Sequence, residues 1–92
     1  MITWDESKRQ ENLRKHGLDF VGCETVFDHP VVTQDDDREA YHEQRLNLIG
    51  WLNGRLIHLT YTERGENVHV ISLREATPHE IRRYRQDLSK NR

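Results

Sequence analysis

The chain predicts an α+β fold: two N-terminal helices, a four-stranded antiparallel sheet and a C-terminal helix. Three observations carry this reading. Asn53-Gly54 lies between two apolar-rich runs, 45–52 and 55–63, and is the strongest short hairpin signal, because a type I′ turn needs positive φ twice. Thr77-Pro78-His79-Glu80 is a capping box with proline at the first helical position, where a missing N–H costs nothing. Asp5 and Gly17 bracket a further helix, one as its N-cap and the other as its left-handed stop. Sequential hairpins make the sheet antiparallel and segregate the helices from it.

In chain order, the first helix covers about 6–16, and its only apolar interior residue is Leu13. A helix this polar is poorly explained by packing alone. A second helix, about 19–27, places Phe20, Cys23 (or Glu24) and Phe27 in a short core stripe. Pro30 ends it and favours an extended entry to a first strand, Val31-Val32-Thr33. The acidic segment 35–39 reads as a loop, followed by a short helical turn before Arg45. In the central hairpin the two-residue turn sets Leu52 opposite Arg55, Leu48 opposite Leu59 and Leu46 opposite Tyr61. Leu46, Leu48, Ile57, Leu59 and Tyr61 then share one side. Ile49, Trp51, Leu56, His58 and Thr60 share the other, which is apolar enough to be covered by a helix or another chain. Residues 64–67 turn into a fourth strand, 68–74, and the last helix, 78–88, buries Ile81, Tyr84 and Leu88.

Ninety-two residues predict one domain, 1–92, with a thin core: 34% of residues are hydrophobic and 33% charged. No apolar run approaches the ~20 residues of a membrane span, and no signal peptide opens the chain. The single Cys23 cannot form an internal disulfide, which fits a reducing cytoplasm. The net charge of −2 does not advertise nucleic-acid binding, but it is unevenly spread. Residues 1–45 hold 6 Lys/Arg against 11 Asp/Glu; residues 46–92 hold 8 against 5.

Two constellations have chemical potential. Lys8, Asn12, Lys15 and His16 fall at i, i+4, i+7 and i+8 on one helix face, either as ordinary surface side chains or as a set that holds and attacks a phosphodiester. Arg64 and Arg74, after the third strand and at the end of the fourth, lie in regions that can converge at one sheet edge. An arginine there either stabilises charge on a phosphorane or, for Arg74, pairs with a carboxylate such as Glu43 or Glu75. The six histidines show no H-x₃-H or HExxH spacing, and Cys23 has no C-x₂-C partner, so no metal site is expected. His69 shares a side with Ile71 on an alternating strand, the setting of a packed, hydrogen-bonded histidine.

With those residues in view, the chain resembles the BrnT family of ribonuclease toxins of type II toxin–antitoxin systems. The matching series is Trp4-Asp5, Lys8, Asn12, Lys15-His16-Gly17, Phe20, Phe27-Asp28, Glu43, Arg45, Gly50 and Tyr61-Thr62-Glu63-Arg64. It closes with Ile71-Ser72-x-Arg74-x-Ala76-Thr77, Glu80 and Tyr84. His69 stands where the family usually carries arginine, and Leu73 where a small residue is usual. The resemblance implies a RelE-like fold and RNA cleavage without metal or other cofactor, arresting translation in the cytoplasm. It also implies a cognate antitoxin with a ribbon-helix-helix DNA-binding domain, so that DNA is met only through the antitoxin. A homodimer and a toxin–antitoxin heterotetramer both remain open. In such an enzyme His16 would serve as acid or base, and Lys15 and Arg74 would stabilise charge. Arg64, Lys8 and Asn12 would position RNA, with Tyr61, Glu63 and His69 as further contacts or proton carriers. The alternative is a module that binds the antitoxin and contributes to operon repression without cleaving RNA.

Overall fold

Asn53 and Gly54 adopt φ of 51° and 80°, and the register follows from that turn: Leu52 pairs with Arg55, Leu48 with Leu59 and Leu46 with Tyr61. The computed structural model describes residues 1–36 and 43–90. In order these form β1 (Ile2–Trp4), α1 (Glu6–His16), a 3-10 helix (Cys23–Asp28), β2 (Val32–Asp36), β3 (Arg45–Leu52), β4 (Arg55–Arg64), β5 (Asn67–Glu75) and α2 (Pro78–Lys90). The strands make one five-stranded mixed sheet of order β1-β5-β4-β3-β2, with β1 parallel to β5 and the other neighbours antiparallel.

Three expectations change. The four-stranded antiparallel sheet gains a parallel edge strand, β1. The second α-helix is instead a 3-10 helix, whose three residues per turn bring Cys23 and Val26 inward and leave Phe27 41% exposed. The acids Asp35 and Asp36 belong to β2, paired with Leu46 and Arg45, rather than to a loop. Asp37, Glu39 and the rest of 37–42, where the short helical turn before Arg45 is expected, lie outside the described residues; Glu43 and Gln44 are not helical.

One face of the sheet is apolar. Leu48, Ile57, Leu59, Tyr61, Val70 and Leu73 pack there against Phe20, Cys23 and Val26. Gly50 permits the approach: a Cβ on it would lie 2.9 Å from Val26 Cγ2 and 3.0 Å from Val31 Cγ1. Burial pushes the Cys23 thiol up to about 11, so it behaves here as a small apolar side chain.

The other face is divided. At one end α2 covers Ile49 and Leu56 with Tyr84, Ile81 and Leu88, and Tyr84 Oη donates to Pro30 O at 2.9 Å. Beyond it two polar rows cross the strands. Gln34, Asn47, Thr60 and Ser72 pair in succession from β2 to β5. Asp36, Arg45, Thr62, His69 and Thr3 pair in succession from β2 to β1. Among the described residues, no helix is long and apolar enough to cross a membrane.

Candidate nucleic-acid interface

α1 is held by a polar residue. Asp5 accepts from Ser7 N at 2.9 Å, and Gly17, at φ 73°, donates its N–H to Leu13 O, so both ends are capped as the sequence indicated. The residue the helix buries is Asn12, at 6% exposure, while Leu13 is exposed. Asn12 Nδ2 donates to Leu73 O at 2.8 Å and Leu18 O at 3.0 Å, and its Oδ1 accepts from Leu73 N at 3.0 Å. β1 pairs with β5 only from Val68 to Val70. Beyond that point Asn12 supplies the donor and acceptor that a longer edge strand would have supplied. Its amide is therefore committed to the backbone, and Asn12 fixes the position of α1 on β5.

This anchoring lays one face of α1 along β5. Lys8, Lys15 and His16 line a shallow cleft of about 210 Å³ with Glu11 and Asn12 of the same helix and with Ile71 and Ser72. The side chains of Lys15 and His16 are exposed and form no hydrogen bond or ion pair with another described residue. Arg9, elsewhere on the same helix, donates to Glu6 at 2.6 Å and to both oxygens of Asp19 at 3.1 Å. One set of cations is thus neutralised within the protein, whereas Lys15 and His16 are available to an anion.

The bulge between Thr60 and Tyr61 decides which β5 side chains flank this cleft. Val70 pairs with Tyr61 and Ser72 with Thr60, so Ile71 is the extra residue. The alternation that would put His69 on a side with Ile71 is interrupted there. His69, Ser72 and Arg74 instead share the polar face, opposite Thr62, Thr60 and His58. His69 is hydrogen-bonded, its Nδ1 lying 2.8 Å from Thr3 Oγ1. Burial lowers its pKa, and Arg64 lowers it further against the opposing pull of Glu43 and Asp5.

Arg74 makes a bidentate pair with Glu80, Nη1–Oε1 and Nη2–Oε2 both 2.9 Å, and Nη1 also donates to Glu75 O at 3.1 Å. The carboxylate partner is thus Glu80, not the side chain of Glu43 or Glu75. Glu80 at the same time closes the capping box, accepting from Thr77 N at 2.9 Å while Thr77 Oγ1 accepts from Glu80 N at 3.2 Å. Burial raises the Glu80 carboxyl, but Arg74, the Thr77 amide and His58 outweigh it and hold the group at about 2. His58 Nε2 lies 3.7 Å from Glu80 Oε2; burial, then Arg74, lower the imidazole pKa more than Glu80 raises it. Of the five N–H donors of Arg74, Nε–H and one on Nη2 have no partner among the described residues.

Arg64 is elsewhere. It pairs with Asn67 at the β4–β5 turn, whereas Arg74 pairs with His58, so the two arginines stand at opposite ends of β5, roughly 20 Å apart at 3.3 Å per residue. They do not converge. Arg64 Nη2 instead meets Glu43 Oε1 at 3.2 Å. Tyr61 is buried on the apolar face, edge-on to Phe27 with ring centroids 6.1 Å apart. Glu63 lines a separate cavity with Asp35, Glu43 and Thr62. Neither is brought to the α1 cleft. His58 and Glu80 are the residues that the sequence reading left out of the site. A strand-end arginine six residues before a capping-box glutamate is the signal that points to Glu80. Among the described residues, no three His, Cys, Asp or Glu side chains converge to hold a metal ion.

Fold and site together define a small α+β protein that offers a cationic, imidazole-bearing helix face beside a polar sheet face, an arrangement suited to a phosphate backbone. The chain belongs to the family described as the ribonuclease toxin, BrnT, of type II toxin–antitoxin systems, which matches residues 4–80. No curated protein matches it.

Proposed function

We propose that the chain is a single-domain, metal-independent endoribonuclease that acts on cytoplasmic RNA, arrests translation and is neutralised by a DNA-binding antitoxin. The observation that carries this reading is the α1 cleft, where His16 and Lys15 stand unpaired beside Lys8 in a chain of a ribonuclease-toxin family. In this reading the 2′-hydroxyl attacks the adjacent phosphorus. A base removes the 2′ proton, the P–O5′ bond breaks, and an acid protonates the departing 5′ oxygen, leaving a 2′,3′-cyclic phosphate and a 5′-hydroxyl. His16 performs one proton transfer. Lys15 and Lys8 hold the phosphate, and the free donors of Arg74 face charge developing on its oxygens. His69, on the other side of Ser72 from Arg74, is the candidate for the second proton transfer. Asn12 acts by fixing α1 on β5, and Arg64 is placed to meet RNA further along the strand.

The test is incubation of purified protein with mixed-sequence RNA in excess EDTA, with end-group analysis of the products. Cleavage that survives chelation and leaves cyclic phosphate ends is expected. His16→Ala should reduce it by about 10²–10⁴, the range of one general acid–base group. Arg74→Ala should also weaken cleavage, read together with its melting temperature because the change strands Glu80. Intact RNA from a folded protein overturns the cleavage reading and leaves antitoxin binding as the function. Loss of cleavage in EDTA alone overturns metal independence.

A further inference from the structure

A second cavity, of about 180 Å³, lies on the polar face where the first turns of α2 meet β2 and β3. Val32 and Ile49, a cross-strand pair, line it together with Gln34 and Asn47, the next pair on that face, and with His79 and Arg83 of α2. The volume is below the roughly 300–1,000 Å³ of pockets that enclose whole drug-sized ligands, and suits one planar ring system. Its chemistry suits such a ring. Val32 and Ile49 offer apolar surface to a ring face, and two carboxamides offer hydrogen bonds to a ring edge.

The pocket is biased towards donors. Thr60 Oγ1 donates to Asn47 Oδ1 at 2.9 Å, which engages one of that oxygen's two lone pairs, while the Asn47 Nδ2 donor has no partner among the described residues. Among the described residues Arg83 is tied only through Nε, 3.7 Å from Asp87 Oδ2, and its side chain is 45% exposed. The carboxylate that also lines the cavity, Glu80, is already taken up by Arg74 and the Thr77 amide, and the remaining lining side chain, His58, turns its Nε2 to that carboxylate at 3.7 Å.

The pocket is also in register with the cleft on α1. Ser72, which lines that cleft, is followed across the sheet by Thr60, Asn47 and Gln34. At ~4.8 Å per strand, Asn47 is about 10 Å from Ser72. A phosphate at Lys15 and His16 and a base beside Asn47 therefore belong to one short single-stranded segment.

We infer that this pocket receives one unpaired RNA base next to the phosphate held in the α1 cleft, that Asn47 favours a keto base over an amino base, and that Gln34 hydrogen-bonds either. The inference rests on the reading of the chain as an RNA-binding ribonuclease. A keto edge presents acceptors to the pocket's donors, whereas the exocyclic amine of adenine or cytosine sets donor against donor.

The test uses 2′-O-methyl hexamers, which cannot undergo 2′-hydroxyl attack, in two pairs differing at the keto or amino position: uridine against cytidine, and inosine against adenosine. Their affinities for the full chain are measured by fluorescence anisotropy. The keto member of each pair should bind about tenfold more tightly, within the range of one good base-edge contact. Asn47→Ala should bring each pair to within about twofold. Gln34→Ala, at an exposed edge-strand position where folding is not at stake, should weaken binding of both members of each pair. Equal affinities in the unaltered protein, or a preference unchanged in Asn47→Ala, overturn the pocket even when RNA cleavage is present. A preference that Asn47→Ala abolishes, in a protein that leaves unmodified RNA intact, supports the pocket and removes the nuclease reading.

Discussion

Along β4, Ile57, Leu59 and Tyr61 turn to one side of the sheet and His58, Thr60 and Thr62 to the other, and the two sets meet different neighbours. The first set is enclosed by Phe20, Cys23 and Val26, with exposures at or near zero for most of its members. The second meets α2 only at one end, and otherwise pairs with Asn47, Ser72, Arg45 and His69, with Thr60 and Thr62 buried among them. The same strand thus stabilises the fold through one period-2 set of side chains and presents chemistry through the other. A domain this small has one thin core to spend on both tasks, which makes the separation testable by mutation.

The largest effect is expected on the apolar side. Leu59, 0% exposed, should cost roughly 2–5 kcal/mol on replacement by alanine, through lost burial and the cavity left behind. Its neighbour Thr60, with a single hydrogen bond to Asn47, should cost about 0.5–1.5 kcal/mol as Thr60→Ala. Urea denaturation of the two variants measures the contrast. Equal losses would mean that the polar face carries as much of the fold as the core does.

Asn12 comes next because it crosses the division: a polar side chain with a structural task. Asn12→Ala leaves the buried Leu73 amide and carbonyl without their side-chain partner, a loss of about 2–3 kcal/mol. Amide exchange at Leu73 should quicken with it. A variant of unchanged stability that nevertheless loses RNA affinity would return Asn12 to direct substrate binding.

Much of this division was legible in the sequence. The Asn53-Gly54 turn fixed the central register, and with it which of Leu48, Leu59 and Tyr61 share a side, because a two-residue turn allows no slip. The caps of α1 and α2 were legible for the same local reason. β1 was not: three residues carry too little pattern to declare a strand, and its parallel pairing depends on a crossover whose geometry is tertiary. The β5 bulge was hidden as well, since alternation read past Ile71 gives a self-consistent but different face for His69. The polarity of α1 did signal that something other than apolar packing holds it, yet only the edge of β5 shows that Asn12 is that contact.

A smaller effect is expected from pH, and it is specific to the polar face. His58 lies beside Arg74 on β5 and Glu80 on α2, with the Asp36 charge further along β2, and burial makes its folded-state pKa lower than the ordinary 6.5. His69 is lowered in the same direction. The unfolded chain then binds protons more readily than the folded one, so stability should fall as pH drops below about 6.5 and recover above it. Glu80, held at about 2, contributes stability that is lost only as pH falls from its ordinary 4.5 towards 2, outside the histidine window. His58→Gln should make the slope of urea stability between pH 7 and pH 5 shallower, with His69 accounting for the remainder. An unchanged slope would show that the His58 environment is not what sets the dependence.

The smallest effect is expected where an ion pair resembles Arg74–Glu80 in distance alone. Arg55 Nη1 meets Glu75 Oε1 at 2.9 Å, the same separation, but both side chains are more than 60% exposed. Water and salt screen such a pair, and ordering two long side chains offsets most of what remains. Arg55→Ala should therefore change stability by no more than about 0.5 kcal/mol in urea titration, with little further change on adding salt. Arg74 differs because its partner is shared: Glu80 also caps α2 and lies beside His58, so removing Arg74 disturbs a helix start and a partly buried imidazole together. If Arg55→Ala proved as costly as Arg74→Ala, the distance would be the determinant, and the connected arrangement around Glu80 would lose its claim to matter.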